Sequence, residues 1–286
     1  MESMKLTRRL MKKEYIPLYI GIVLMSVFIA FSLFPAVFAP YDPKEMFEPW
    51  QGVSSAHLLG TNDMGYDIFS ELVYATSTTL VVGIMAAFVS LVIGSLMGIM
   101  AGYLSGWKAE ILDGIINVFL LIPMLPMAIV VAAYLGPGTY NIILIIAVLG
   151  WCATARAVRA KTKQLKQTPF VESLMILGIP KRQIMVKHIF PNLREIVLAK
   201  YIMAVGSFML MESTLSFLGL GNPAQVTWGG MINFAYKCGG FSKGALNWYL
   251  PPGICIALCV LAFYCINYYF EKKASQVEGE NRSYMD

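Results

Sequence analysis

The sequence predicts an all-α integral membrane protein with six spanning helices and both termini cytoplasmic. Three observations lead there. Of 286 residues, 57% are hydrophobic and only 14% charged, whereas a soluble domain carries roughly 25% charged residues. Apolar runs recur at about 20 residues, the length that crosses a hydrocarbon core of roughly 30 Å. Lys and Arg gather in alternate loops, as the positive-inside rule requires of a polytopic protein.

The spans are expected at about 16–39, 76–102, 111–135, 140–155, 196–220 and 249–270. The first is too long for a cleaved signal, and no small-residue cleavage site follows it. Lys5, Arg8, Arg9, Lys12 and Lys13 precede it and place the N-terminus inside. The next loop holds only Lys44 against Asp42, Glu45, Glu48, Asp63, Asp67 and Glu71, so it faces outward, as does 221–248. The 156–195 loop carries nine Lys/Arg and two Glu and is cytoplasmic. The net charge of +5 follows this topology and points to no nucleic acid. The chain divides into 1–75 (cytoplasmic segment, first span, outer loop), a five-helix core at 76–270 and a cytoplasmic tail at 271–286.

Within the spans, Gly94, Gly98 and Gly102 repeat every four residues and line one helix face, which suits close helix packing. Pro123 and Pro126 should kink the third span, since each removes a backbone donor. Glu212 is the one acidic residue placed clearly away from a span end. It is either a structural contact that holds a gate or a partner subunit, or a site for a substrate cation. A proton-coupled carrier needs several ionisable groups at depth, and one is too few.

Catalysis finds no support: there is no GxxxxGK[ST] phosphate loop, no GxSxG elbow and no HExxH helix. The five cysteines show no paired CxxC spacing and suit small packing positions. His57 and His188 fall on opposite sides of the membrane, so no shared metal site is expected.

The long cytoplasmic loop is the unusual feature. Thr168 and Pro169 suit an N-cap and first helical position, and Glu172 lies where the helix dipole favours a carboxylate. Gly178 suits a left-handed C-terminal position, and Pro180 blocks continuation. A second helical segment from about Lys181 should stop at Pro191. A helix of about nine residues is marginal alone, so it must dock on something. Lipid headgroups would accept a basic amphipathic hairpin; a cytoplasmic partner would accept a rigid knob.

Glu172, Gly178, Ile189 and "FPN" at 190–192 resemble the EAA loop of binding-protein-dependent ABC importer permeases. "HLLGTNDMGYDIFSELVYA" (57–75), "AGYLSGWKAEILD" (101–113), "GWCATARAVRA" (150–160), "ESTLSFLGLG" (212–221) and "TWGGMI" (227–232) are similar to the C-type subunit of the dipeptide, oligopeptide and nickel group. The resemblance implies the type I ABC importer fold. It also implies a homologous B-type permease partner, two cytoplasmic ATPase subunits that hold ATP and Mg²⁺, and an extracytoplasmic substrate-binding protein. No cofactor falls on this chain, and membrane lipid surrounds it.

By the same resemblance, Glu172, Ser173, Leu174, Leu177, Gly178, Ile179 and Pro180 form the ATPase-coupling surface. Glu212 and Asn117 are candidates for the gate or substrate path. Glu48 and an exposed Trp228 are candidates for contact with the binding protein, although the 40–75 segment could instead pack only over its own spans. Peptides are the expected cargo, with nickel, a metallophore complex or another small solute as alternatives. Ser173 and Leu174 stand where the family has alanines, Leu174 adding bulk at a normally small contact, and "GYD" (65–67) replaces Gly-Arg-Asp. Gly114 and Asn117 stand where the family often carries Arg and Asp, a mutually compensating pair lost together.

Overall fold

Residues 2–283 are described by the computed structural model, with side chains from 15 to 272. The basic side chains of Lys5, Arg8, Arg9, Lys12 and Lys13, and the tail beyond residue 283, lie outside the described part. The chain opens with α1 (Glu2–Leu33) and the short α2 (Pro35–Phe38); an irregular cap at 40–67 follows. Next come α3 (Ile68–Tyr103), α4 (Trp107–Leu121), α5 (Met124–Leu135) and α6 (Thr139–Lys166). A cluster of short pieces comprises α7 (Pro169–Ile176), α8 (Lys181–Gln183), a π-helical turn (Ile184–Ile189) and α9 (Phe190–Asn192). The chain closes with α10 (Arg194–Phe217), α11 (Trp228–Lys237) and α12 (Leu246–Ser283).

Among the described residues, five helices are long and apolar enough to cross a membrane: Tyr15–Leu33 of α1, α3, α6, α10 and Leu246–Lys272 of α12. A sixth span is available only if α4 and α5, bent by 85°, count as one. The break sits at Ile122–Pro123. Ile122 is extended (φ −71°, ψ 122°), the conformation that a following proline imposes on its neighbour. Pro126 lies in the first turn of α5, where no intrahelical donor is needed, so only one of the two prolines breaks the span. Either half alone is too short, at about 18–23 Å for 1.5 Å per residue.

The largest helix contact is α3 with α6. A Cβ on Gly94 would lie 2.6 Å from the Trp151 carbonyl oxygen, and one on Gly98 2.6 Å from that of Ala155. On Gly102 it would meet Thr162 Cβ at 2.6 Å. Partner numbers rise together along the two helices, so α3 and α6 run parallel. The α4–α5 pair therefore carries the chain back from one end of the bundle to the other. The sequence's glycine stripe is a packing face.

Gly98→Leu should push α3 from α6, because Val158 Cβ stands 2.8 Å from the new Cβ as well. Overpacking of this kind costs about 1–3 kcal/mol. The yield of folded protein after detergent extraction should fall, while Gly114→Leu, at a position with nothing within 4 Å, should leave it unchanged.

α12 runs antiparallel to α1, with Tyr15 near Tyr269 (ring centroids 5.5 Å) and Gly21 against Ala262 and Ile266. It also packs along α10. Two ends result. The cap and α11 occupy one, and α7 to α9 the other.

Several elements differ from the sequence expectation. α3 starts at Ile68 and not near 76; α6 continues to Lys166, well past 155; and α12 continues through 271–283. Once nucleated, a helix gains a backbone hydrogen bond per added residue, whether in lipid or beyond it. Pro191 does not stop the second segment; it lies in the first turn of α9, where a missing N–H costs nothing.

Candidate functional site

The α7 region is built around a small second core. Val171, Ile184, Ile189 and Leu193 are buried against Ile99, Tyr103 and Val158 of α3 and α6. The π-helical turn brings both Ile184 and Ile189 to zero exposure. Leu174 and Ile179 pack on the same cluster. Leu174 stays partly exposed, so its extra bulk sits at the edge of this cluster.

The end of α7 is a complete Schellman motif. The Gly178 amide donates to the Met175 carbonyl at 3.1 Å, and the Ile179 amide to that of Leu174 at 3.2 Å. Gly178 has φ +72°, as its sequence position predicts. Thr168 takes the N-cap backbone conformation, yet its hydroxyl donates backward to the Leu165 carbonyl at 2.7 Å. With the inner face of α7 anchored, the outer face is bare: Ile176 is 86% and Leu177 75% exposed. Glu172 and Ser173 are exposed beside them, and Pro180 is exposed at the next turn. The helix is a fixed apolar knob with a carboxylate at its N-terminal end.

A cleft of about 540 Å³ separates α7 from the α3–α4 turn, with Glu172, Lys163 and Lys166 on its walls. Asp113 of α4 pairs with Arg159 of α6 and lies 3.8 Å from Lys163 Nζ. α4 thus keeps an ion pair to its neighbour beside the uncharged Gly114 and Asn117. Asn117 is exposed on α4.

At the other end the cap is folded onto its own helices. The rings of Tyr41 and Phe47 flank His57, whose Nδ1 lies 2.9 Å from Asp67 Oδ1. Asp67 caps α3, its Oδ2 accepting from the Ser70 amide at 2.8 Å and the Ser70 hydroxyl at 2.7 Å. The acidic loop therefore splits in two. Asp67 and Glu71 are buried, while Asp42, Glu45 and Glu48 are exposed. Burial, and next the neighbouring Asp63 carboxylate, push the Cys238 thiol up to about 11, so it stays neutral.

Trp228 is not exposed as expected. It has zero exposure, and its indole N–H donates to the Leu72 carbonyl at 3.1 Å while its ring meets Phe28 edge-on. Glu212 is also buried and accepts from the Ser216 hydroxyl at 2.6 Å and the Ser213 hydroxyl at 3.3 Å. No cation pairs with it among the described residues. The structure gathers 172–180 at one end and leaves Glu212, Asn117 and Glu48 apart from one another. Sequence reasoning missed the burial of Glu71 in α3 and Trp248 in α12 at the cap end; apart from the single helical turn between Asp67 and Glu71, no local pattern marks them.

Residues 94–276 match the family described as binding-protein-dependent transport system inner membrane component. The chain belongs to that family. This permease is 32% identical over 255 residues to the glutathione transport system permease protein GsiD of Pectobacterium atrosepticum, covering 88% of this chain and 83% of that one. It is 30% identical over 247 residues to the dipeptide transport system permease protein DppC of Alkalihalophilus pseudofirmus, with 85% and 80% covered. A GsiD of Escherichia coli matches at 32% over 239 residues, with 82% and 78% covered. The permease is an integral membrane subunit of the C-type branch of peptide and nickel ABC importers, as the motifs implied.

Proposed function

We propose that this permease forms half of the translocation pathway of an ATP-driven importer for peptides, in the bacterial cytoplasmic membrane. Six crossings, with the bent α4–α5 pair as one, put both termini and α7 in the cytoplasm, in accord with the basic 156–195 loop. A B-type permease supplies the other half. Two ATPase subunits, which carry the ATP and Mg²⁺ sites, receive α7, and an extracytoplasmic binding protein meets the cap. The observation that carries the mechanism is the anchored knob with bare Ile176 and Leu177. A lipid-surface hairpin has no need of a fixed helix end. The cargo reading is supported by relatives named for glutathione, itself a tripeptide, and dipeptide transport.

The test is to purify the permease with its partners and identify the ligand held by the cognate binding protein. A bound peptide is expected; a nickel complex or another solute would replace the cargo assignment. Glu48, exposed in the cap, should crosslink to the binding protein during turnover, while a crosslinker at the buried Trp228 should not.

Glu212 acts as a structural brace of the last turns of α10, since hydroxyls alone serve it. Glu212→Gln should preserve assembly and uptake, at a stability cost of about 1–2 kcal/mol for the weakened hydrogen bonds. A changed preference between charged and neutral peptides in competition uptake would instead make it a substrate site.

A further inference from the structure

The mechanism above leaves a cavity of about 280 Å³ unused at the cap end, between the 62–66 turn, the start of α3 and the 223–227 strap. That size is just below the roughly 300–1,000 Å³ of most small-molecule sites. Its walls hold two acidic side chains, Asp63 and Glu71, and a basic one, Lys44. Glu71 is only 8% exposed; Asn62 Nδ2 donates to its Oε2 at 3.0 Å, and its other oxygen has no partner among the described residues. Trp248, 1% exposed, forms another wall, and its indole N–H also lacks a hydrogen-bond partner. Lys44 makes no ion pair among the described residues. The second Glu71 oxygen is thus an acceptor left open to this cavity, whereas the Trp248 N–H is closed off from it.

We propose that this cavity binds a small zwitterion with a free primary ammonium and a free carboxylate, such as a dipeptide. The ammonium is held by Glu71 with Asp63, and the carboxylate by Lys44. Both are charge-assisted contacts, roughly twice as strong as neutral hydrogen bonds. Met231 and Phe234, on the same walls, take an apolar side chain. The site lies beside the strap that follows α10, so cargo would meet it on the cap side of the bundle. The proposal deepens the peptide reading and rests on it for the ligand's identity as cargo.

The test uses the complete transporter in nanodiscs without its binding protein, titrated with dialanine and followed by saturation-transfer NMR. Dialanine should bind, and N-acetyl-dialanine and dialanine amide should bind at least about tenfold more weakly, each having lost one charged contact. Glu71→Gln should weaken dialanine by a similar factor. Gly230→Leu should abolish binding without changing a charge: Gly230 lines the cavity, and a Cβ there meets only Thr227 Oγ1 at 3.2 Å. Basal ATP hydrolysis checks that each variant is assembled. No dialanine binding by the wild type, equal binding of the acetylated form, or wild-type binding by the assembled Gly230→Leu protein would each overturn the site. Peptide uptake with the binding protein present is scored separately. Uptake without cavity binding removes the site and keeps the importer; cavity binding without uptake removes the cargo assignment and keeps the site.

Discussion

Gly178→Val is expected to cost most of the substrate-stimulated ATP hydrolysis and uptake while the permease still reaches the membrane at normal levels. The effect should come from backbone conformation alone. A Cβ at Gly178 meets nothing within 4 Å, so no core is disturbed, but φ +72° is strained for any β-branched residue. The left-handed conformation costs about 1–2 kcal/mol for an L side chain. Relief comes by opening the Schellman bonds to Met175 and Leu174, which frees the end of α7 where Ile176 and Leu177 stand bare. Glu172→Lys works at the other end of the same helix. It places a cation against the positive helix terminus, a change worth about 0.3–1 kcal/mol, and reverses the charge offered to a partner. Neither substitution touches a spanning segment. In a reconstituted complex carrying both, coupling should fall at least about tenfold, since 1.4 kcal/mol in a conformational equilibrium is tenfold in population. Gly178→Ala, with no branch at Cβ, should fall between. Wild-type stimulation of ATPase activity in the double variant would discard the coupling assignment and leave α7 as membrane-surface structure.

The features legible in the sequence were those set by covalent chemistry or by local period. Pro123 announces a break because a proline restricts its predecessor wherever it occurs, and the break is there. Gly178 announces a left-handed helix end, and it has one. The four-residue glycine spacing announces a close helix contact, although not that the partner would be α6. What could not be read depends on packing across the chain. The extra turns of α3 before Thr76 carry Glu71 and follow a polar loop, so hydropathy discounts them; the Asp67 cap and the fold of the cap onto those turns make them helical. Leu174 reads only as added bulk; that it packs in part on the cluster around the π-helical turn depends on residues further along the chain. Trp228 reads as an exposed loop residue because it follows Asn222–Pro223 turn chemistry, and only the approach of α1 and α3 buries it.

Burial makes Trp228 the position whose loss should cost the cap end most. Trp228→Ala is expected to lower the folded yield and thermal stability of the purified permease sharply, whatever its effect on the binding protein. The side chain has zero exposure and ties together three elements. Its ring packs edge-on to Phe28 of α1 with centroids 5.4 Å apart. Its indole N–H reaches the Leu72 carbonyl in α3 at 3.1 Å, and its backbone amide donates to Thr79 Oγ1 at 3.2 Å. Removing a buried Trp or Phe side chain typically costs about 3–5 kcal/mol, because transfer free energy is lost and a cavity remains. The backbone bond to Thr79 survives truncation, so α11 should stay in place while the gap beneath it weakens the cap. Trp228→Phe separates the two contributions. It keeps most of the volume and loses only the indole bond, and Leu72 O also accepts from the Thr76 hydroxyl at 3.1 Å, so no acceptor is orphaned. Its cost should be close to that of one hydrogen bond, about 0.5–1.5 kcal/mol. The measurement is the midpoint of thermal unfolding in detergent, together with the monodisperse fraction after extraction. A Trp228→Ala protein as stable as wild type, with capture of the binding protein lost, would return Trp228 to the surface role its sequence position suggests.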